Sequence, residues 1–191
     1  MDIRSFLAFE LSPEMKGVVR QSYENARTSG LEVRWVRPEG IHLTVVFMGA
    51  VREEDMAAIG QETSEACSQF APFRAALKGM GCFPSCRKPR VLWIGIEGEI
   101  ERMSGFRDEL QKRLVPFGVK VERRGFNPHL TLGRFKKPSV DEREIGRLID
   151  MHKDLRSTPG SLHELVLFRS DLKPDGAIYT KMLSYRLSGK R

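Results

Sequence analysis

One tripeptide that occurs twice constrains this chain more than any other feature. His-Leu-Thr stands at 42–44 and again at 129–131, and apolar residues typical of a buried strand follow each copy. The two histidines are 87 positions apart (129 minus 42). Arg4 and Arg90, each near the start of an apolar run, are 86 positions apart (90 minus 4). We therefore interpret the chain as a weak internal duplication, which predicts two similar halves around a pseudo-dyad.

Hydrophobic periodicity predicts the same order of elements in each half. Apolar runs predict strands at 3–9, 33–37, 73–79, 91–96, 119–121, 165–168 and 177–187, and after each His-Leu-Thr. Apolar positions spaced by three and four predict a first helix that starts at Ser12-Pro13-Glu14 and ends before Gly30. They predict further helices at 53–70, 100–114 and 145–155. Each half then has the order β-α-β-β-α-β, which predicts an α+β fold. Because no Gly/Ser linker separates the halves, we expect residues 1–191 to form one domain with two pseudo-symmetric lobes.

The charge balance favours an anionic partner. The chain has 32 basic and 25 acidic residues, a formal net charge of +7. Long-range attraction of this sign suits a nucleic acid or a phosphorylated small molecule. No apolar run approaches the ~20 residues of a membrane span, and the first residues, MDIRSFLAFEL, predict a strand rather than a signal peptide. We expect no membrane partner.

The three cysteines form no paired framework. Cys82 and Cys86 have the spacing of half a zinc site, but no second half with Cys or His follows at ligand spacing. We therefore expect reduced thiols in a cytoplasmic protein. The stretch 82–89, with two prolines, predicts a loop.

Strand alternation places the polar residues of each motif together. Successive side chains in a strand point to opposite faces, so His42 and Thr44 share one face, as do His129 and Thr131. The opposite face carries apolar residues that we expect in a core: Leu43, Val45 and Phe47 in the first motif, Leu130 and Leu132 in the second. If the duplication is a physical pseudo-dyad, two imidazoles and two hydroxyls converge on one cleft between the lobes.

Such a pair suits in-line displacement at phosphorus. One neutral histidine takes a proton from the attacking oxygen, and the other, as imidazolium, gives one to the leaving oxygen. The threonine hydroxyls can donate to the non-bridging oxygens, where negative charge is held in the transition state. Imidazole titrates near neutral pH and can take either role, so the chemistry demands no metal.

A metal centre is the competing interpretation of the two histidines. Neither strand supplies a third His, Asp or Glu nearby, which makes a poor ligand set. The remaining histidines have no matching partner in the other half. We expect His152 at the boundary of a helix and His163 in solvent. The sequence therefore predicts neither a metal nor a cofactor.

At these residues the chain resembles the 2H phosphoesterase superfamily. It resembles most the RNA 2′,3′-cyclic phosphodiesterases, also called the LigT-like or 2′-5′ RNA ligase group. The matching segments are SFLAFEL at 5–11, VRWVRPEGIHLTVVFMG at 33–49, PRVLWIGIEG at 89–98, FNPHLTLGRF at 126–135 and LKPDGAIY at 172–179. They span nearly the whole chain in the order of the family, and the doubled motif is its defining feature.

The resemblance implies a fold, a reaction and roles for residues. It implies two lobes of antiparallel sheets flanked by helices, with a central cleft and with the N- and C-terminal strands in one lobe. It implies metal-independent hydrolysis of an RNA terminal 2′,3′-cyclic phosphate to a 2′-phosphate, with His42 as proton donor and His129 as proton acceptor. Thr44, Thr131 and Arg134 match phosphate-binding positions, although alternation puts Arg134 on the face of Leu130 and Leu132, away from the histidines. Tyr179 matches a tyrosine of the C-terminal pattern.

Several alternatives stay open at the level of sequence. One is a non-catalytic module that binds RNA or nucleotides, and another is a phosphodiesterase for a different cyclic phosphate or a 2′-5′ oligonucleotide. Hydrolysis and 2′-5′ ligation are not distinguished. Arg34 and Arg37 before the first motif, and Arg123 and Arg124 before the second, can guide an RNA 3′ end toward the cleft. A monomer is the default expectation.

Overall fold

Two antiparallel sheets and the helices that cover them make up the fold. The computed structural model describes residues 1–136, 141–174 and 176–191. The strands are β1 (Asp2–Phe9), β2 (Val33–Trp35), β3 (Leu43–Arg52), β4 (Phe73–Phe83), β5 (Val91–Gly98), β6 (His129–Phe135), β7 (Gly160–Leu162), β8 (Glu164–Lys173) and β9 (Gly176–Arg186). The helices are α1 (Pro13–Arg27), α2 (Met56–Gln69), α3 (Ile100–Leu114) and α4 (Glu142–Met151). Within these described ranges no helix is long and apolar enough to cross a membrane.

Each half of the chain contributes strands to both sheets. The four-stranded sheet has the order β3-β1-β8-β9 and the five-stranded sheet the order β2-β6-β5-β4-β7. The first strand of each half, β1 or β5, pairs on one side with the strand that carries its own His-Leu-Thr. On its other side, each pairs with a strand from the other half of the chain. The N-terminal and C-terminal strands therefore lie in one sheet.

One hydrophobic core joins the two sheets. Leu7 of β1, Leu92 of β5 and Leu110 of α3 are fully buried in the same cluster. At the junction of the sheets the rings of Phe9 and Phe73 lie edge to face, 5.8 Å apart, and α3 adds a third buried ring. Because this packing spans both sheets, it fixes the position of one His-Leu-Thr strand relative to the other.

The ends of α1 follow the signals in the sequence. The Ser12 side chain caps the helix by accepting a hydrogen bond from the backbone N–H of Met15, at 3.3 Å, and Pro13 occupies the first turn. Glu14 lies in the positively polarised first turn. Gly30, with a φ of +77°, adopts a left-handed conformation just after the helix, where a glycine is unstrained.

The predicted strand at 119–121 is wrong. This segment runs without a strand partner, because side chains of α3 bind its neighbouring backbone instead. The buried Gln111 accepts a hydrogen bond from the N–H of Glu122 at 2.8 Å, and Arg107 donates to the carbonyl of Arg124 at 3.1 Å. The described residues between α3 and β6 therefore contain no counterpart of β2.

The predicted loop at 82–89 starts too early. Strand β4 continues through Cys82 to Phe83, because these residues pair with the first residues of β5. The loop proper begins at Pro84, which follows a cis peptide bond.

Candidate active site

His42 stands one residue before β3 and rests on an aromatic wall of the four-stranded sheet. Its ring stacks on Phe6, with centroids 4.6 Å apart and planes 22° apart, and lies 5.7 Å from Phe168. Tyr179 meets it edge-on at 5.2 Å. Burial among these rings lowers the pKa of His42 to about 4, although a hydrogen bond with the backbone of Gly40 opposes the shift. The free protein therefore holds His42 neutral at neutral pH.

His129, the first residue of β6, is held in the same manner in the other half. Its Nδ1 lies 2.8 Å from the carbonyl oxygen of Asn127, two residues earlier, as Gly40 is two residues before His42. Phe83 meets its ring edge-on at 4.9 Å. Burial is the main cause that lowers the pKa of His129, and the positive charge of Arg134 lowers it further.

The backbone contact of His129 fixes its tautomer. A carbonyl oxygen only accepts, so Nδ1 must carry the hydrogen and donate it. The neutral ring then has an unprotonated Nε2, which can take a proton, and the imidazolium can give one from the same atom. The ring is thus prepared for proton transfer at Nε2.

A β-bulge in β3 re-aims a large side chain. Opposite β1, Leu7 pairs with Val46 and Ala8 pairs with Thr44, so Val45 is an extra residue in the ladder. Val45 and Val46 are both buried, and Phe47 emerges on the face of Thr44, 68% exposed. The prediction that Phe47 points into the core is therefore wrong, since simple alternation does not survive the bulge.

A second bulge at the matching place in β6 resolves the position of Arg134. Opposite β5, Trp93 pairs with Thr131 and Leu92 pairs with Gly133, so Leu132 is the extra residue. Leu132 and Gly133 are both buried and Arg134 is exposed. Arg134 therefore lies on the face of His129 rather than away from it, against the expectation from alternation.

The two bulges are related by the internal duplication. Val45 and Leu132 are 87 positions apart, as are the two histidines, so Phe47 and Arg134 are equivalent positions of the two halves. Both halves hold a His-x-Thr pair followed by a bulge that returns one further side chain to the same face. In one half that side chain is aromatic and in the other it is cationic.

One cavity is lined by a residue of each motif. Strands β3 and β6, from different sheets, approach with Cα atoms within 8 Å. A cavity of about 880 Å³ is lined by Thr44 of the first motif and His129 of the second, together with Phe47 and Arg134. A neighbouring cavity of about 360 Å³ shares Phe47 and Arg134 as part of its wall. Thr131 is half-buried beside this region and lies opposite Trp93.

His42 opens onto a third cavity behind the motif. This space of about 620 Å³ is lined by His42 and Tyr179 and also by Glu10 and Glu39. Tyr179 additionally lines the 360 Å³ cavity, so this tyrosine, which matches the C-terminal pattern, contacts both His42 and the cleft. Asp175 of the same pattern lies outside the described residues.

The other candidates from the sequence lie elsewhere. His152 is buried at the end of α4, with Nδ1 2.9 Å from the carbonyl oxygen of Leu148, and His163 is exposed between β7 and β8. All three cysteines are free thiols. Across residues 1–136, 141–174 and 176–191, no three His, Cys, Asp or Glu side chains group as metal ligands do.

Comparison with known proteins places this geometry in a family. The model of the 2′-5′ RNA ligase superfamily matches residues 20–174, most of the chain. The chain belongs to this superfamily. The family resemblance inferred from the doubled motif is thereby confirmed.

Curated relatives within the family cover nearly the whole chain. The RNA 2′,3′-cyclic phosphodiesterase of Methanothermobacter thermautotrophicus is 32% identical over 187 residues, which cover 98% of this chain and 100% of the relative. A protein of the same name from Archaeoglobus fulgidus is 31% identical over 180 residues, 93% of this chain and 96% of the relative.

Solved structures share the fold. A Thermus thermophilus protein superimposes with a TM-score of 0.82 at 25% identity, and the match covers 99% of this chain and 100% of that protein. Escherichia coli LigT, solved in complex with 3′-AMP, gives a TM-score of 0.73 at 20% identity over 98% of this chain and 99% of LigT. The predicted α+β fold with two antiparallel sheets is confirmed.

Proposed function

We propose that this chain hydrolyses the 2′,3′-cyclic phosphate at an RNA 3′ end to a 2′-phosphate, without a metal. The observation that carries the proposal is that the two His-x-Thr strands, each with a bulge at the same position, approach each other at a cavity lined by Thr44 and His129. Curated relatives across nearly the full length of the chain have the name of this activity. Two histidines that face one another across a phosphate match the in-line positions of the entering and leaving oxygens.

At phosphorus the reaction forms one P–O bond and breaks one, and two protons are transferred. Nε2 of His129 takes a proton from water, whose oxygen attacks phosphorus in line with the P–O3′ bond. His42 gives a proton to O3′ as that bond breaks, and the phosphate stays on O2′. Thr44 and Thr131 donate hydrogen bonds to the non-bridging oxygens, and the guanidinium of Arg134 offsets their charge.

Two electrostatic features bear on the assignment of acid and base. Arg134 disfavours a second positive charge on His129, which lowers the pKa of His129 and suits a neutral base. Burial, however, lowers the pKa of His42 to about 4 in the free protein, so the acid must gain its proton as the substrate binds. The anionic phosphate supplies the reason, since an opposite charge beside His42 raises its pKa.

Phe47 provides a place for the base of the terminal nucleotide. An exposed aromatic ring beside the reacting groups offers a flat apolar surface on which any base can stack. The same site also accounts for ligation. If a 5′-hydroxyl attacks in place of water and the P–O3′ bond breaks, the product is a 2′-5′ linkage.

The discriminating experiment uses a cyclic mononucleotide and a chelator. We expect purified protein in EDTA to convert adenosine 2′,3′-cyclic phosphate to 2′-AMP, and His42→Ala or His129→Ala to lower turnover by roughly 10²–10⁴. Binding of the nucleotide without turnover would favour the alternative of a non-catalytic module. Turnover of a 2′-5′ oligonucleotide in preference to the cyclic phosphate would favour the other phosphodiesterase.

The acid and base are separated by a substrate with an activated leaving group. Such a substrate needs no acid, so it should restore activity to the His42 variant and not to the His129 variant. The opposite pattern would exchange the roles.

We further propose that the protein acts as a monomer in the cytoplasm. All the side chains assigned to the reaction come from one chain, and the three free thiols suit a reducing compartment.

A further inference from the structure

The 360 Å³ cavity beside the catalytic motifs, here named the arginine cleft, concentrates positive charge. Four arginines line it: Arg4, Arg34, Arg37 and Arg134. Arg4 projects from the four-stranded sheet, Arg34 and Arg134 from the five-stranded sheet, and Arg37 from the turn that leads into the first motif. The charges thus face the cleft from both lobes.

These charges have no counter-ion within the described part of the protein. No carboxylate is among the described residues that line the arginine cleft, and none of the four arginines has an ion pair with another described residue. Two arginines that line only the 880 Å³ cavity are paired instead. Arg124 pairs with Glu122 at 2.7 Å, and Arg107 pairs with Asp108 at 2.7 Å.

The fold holds two of these like charges directly opposite each other. In the ladder between β2 and β6, Arg34 pairs with Arg134, and both side chains line the arginine cleft. Like charges at directly opposite positions destabilise a sheet. An anion bound between the two guanidinium groups removes that repulsion and makes charge-assisted hydrogen bonds.

Aromatic residues share the lining of the arginine cleft with the arginines. Phe6, Trp35, Phe47 and Tyr179 line the same space. Arginines that track a phosphate backbone, interleaved with rings on which bases stack, are what single-stranded RNA requires. A small inorganic anion would use the arginines but not the rings.

We infer that the arginine cleft binds the RNA nucleotides that precede the cyclic end, with Arg4, Arg34 and Arg37 on their backbone phosphates. This inference rests on the proposed function, since it takes the terminal cyclic phosphate to lie at the two histidines. Arg134 and Phe47 border both cavities, so the chain passes this pair as it leaves the reaction site. The substrate is then an RNA chain, and a cyclic mononucleotide fills only part of the site.

The test compares substrates of increasing length that share one cyclic end. Adenosine 2′,3′-cyclic phosphate is compared with oligoadenylates of two, four and six nucleotides that end in the same group. We expect KM to fall with each of the first added nucleotides. For the longer substrates, KM should rise with salt, and a plot of log KM against the logarithm of the salt concentration should have a slope of ~0.7 per phosphate contact.

Variants assign the effect to the cleft. Arg34→Ala and Arg37→Ala should each raise KM for the hexanucleotide roughly tenfold more than KM for the mononucleotide, because each removes a charge-assisted contact. Arg147→Ala, which removes an exposed arginine of α4 that lines none of the three cavities, should change neither KM. Urea denaturation should find Arg34→Ala no less stable than the native protein, since the substitution relieves repulsion with Arg134.

The outcomes separate this inference from the proposed function. Equal KM values for mononucleotide and hexanucleotide at low salt, or equal effects of the arginine variants on both, would overturn the inference while the activity itself stands. If Arg34→Ala weakened inhibition by free ATP but left KM for the RNA substrates unchanged, the arginine cleft would be assigned to a nucleoside polyphosphate. That result would also overturn the inference. Absence of turnover on every cyclic substrate would instead refute the proposed function.

Discussion

The burial of His42 predicts a pH-dependent stability that one substitution removes. Its pKa lies at about 4 in the folded protein and near 6.5 when the ring is in water. Between these pH values the unfolded chain binds a proton on His42 and the folded chain does not. The contribution of the neutral ring to the free energy of unfolding is therefore fully present above pH 6.5 and is lost as the pH falls toward 4. One pKa unit corresponds to about 1.4 kcal/mol, so the loss from this ring reaches about 2 kcal/mol at pH 5 and about 3 kcal/mol when titration is complete.

The assay compares the native protein with His42→Phe. Phenylalanine keeps an aromatic ring against Phe6 and Phe168 but does not titrate. Urea denaturation at pH 7 and pH 5 gives two free energies of unfolding for each protein. The native protein should lose ~2 kcal/mol more than the variant between the two pH values, whatever the variant's stability at pH 7. Equal losses would refute the claim that the fold holds His42 neutral.

A bound anion should reverse this effect. If the negative charge of the bound phosphate favours the protonated form of His42, NMR titration of the ring in the presence of 2′-AMP should show its pKa well above the value in the free protein. An unchanged pKa with 2′-AMP bound would argue against His42 as the acid.

The remaining predictions concern the reaction. Both histidines have lowered pKa values in the free protein, and only the singly protonated pair is productive, so kcat/KM should follow a bell with its maximum below pH 6.5; a maximum above pH 8 would contradict this. Exhaustive EDTA treatment should leave turnover intact, whereas loss restored by Zn²⁺ or Mn²⁺ would favour a metal centre. Arg134→Ala should lower kcat/KM by roughly a hundredfold and raise the pKa of His129, because it removes both a phosphate contact and a nearby positive charge; Arg147→Ala is the control, and equal activity of the two variants would remove Arg134 from the site. Phe47→Ala should raise KM by an amount equivalent to ~1–3 kcal/mol while Phe47→Trp retains binding, and an unchanged KM in Phe47→Ala would contradict base stacking.

The sequence predicts well the helices and strands that carry this site, because the sequence signals for these elements are local or repeated. The Ser12-Pro13-Glu14 start of α1, the apolar run of β5 and the shared face of each His-x-Thr pair follow from capping and from strand alternation. The duplication predicts the convergence of the two motifs, since two similar units around a pseudo-dyad must present equivalent faces to each other.

What the sequence does not predict depends on contacts between strands. The bulges at Val45 and Leu132 arise where β3 and β6 pair with their neighbours, and no periodicity in one strand reveals the register of the next. They expose Phe47 and bring Arg134 to the face of His129, so alternation assigns both side chains to the wrong face. The repeat does contain one signal of a functional position. Phe47 and Arg134 stand five residues after His42 and His129, and they differ chemically although the motifs before them are the same.

The most direct test of the central claim is the identity of the product from a defined RNA. An oligoribonucleotide with a 2′,3′-cyclic phosphate end is incubated with the protein in EDTA, and the isomers are separated after digestion to nucleotides. The two-histidine mechanism predicts a terminal 2′-phosphate from the native protein and almost none from His42→Ala or His129→Ala, with activity preserved in Arg147→Ala. A terminal 3′-phosphate would contradict the orientation of the substrate between His42 and His129, and near-full activity of either histidine variant would contradict the mechanism.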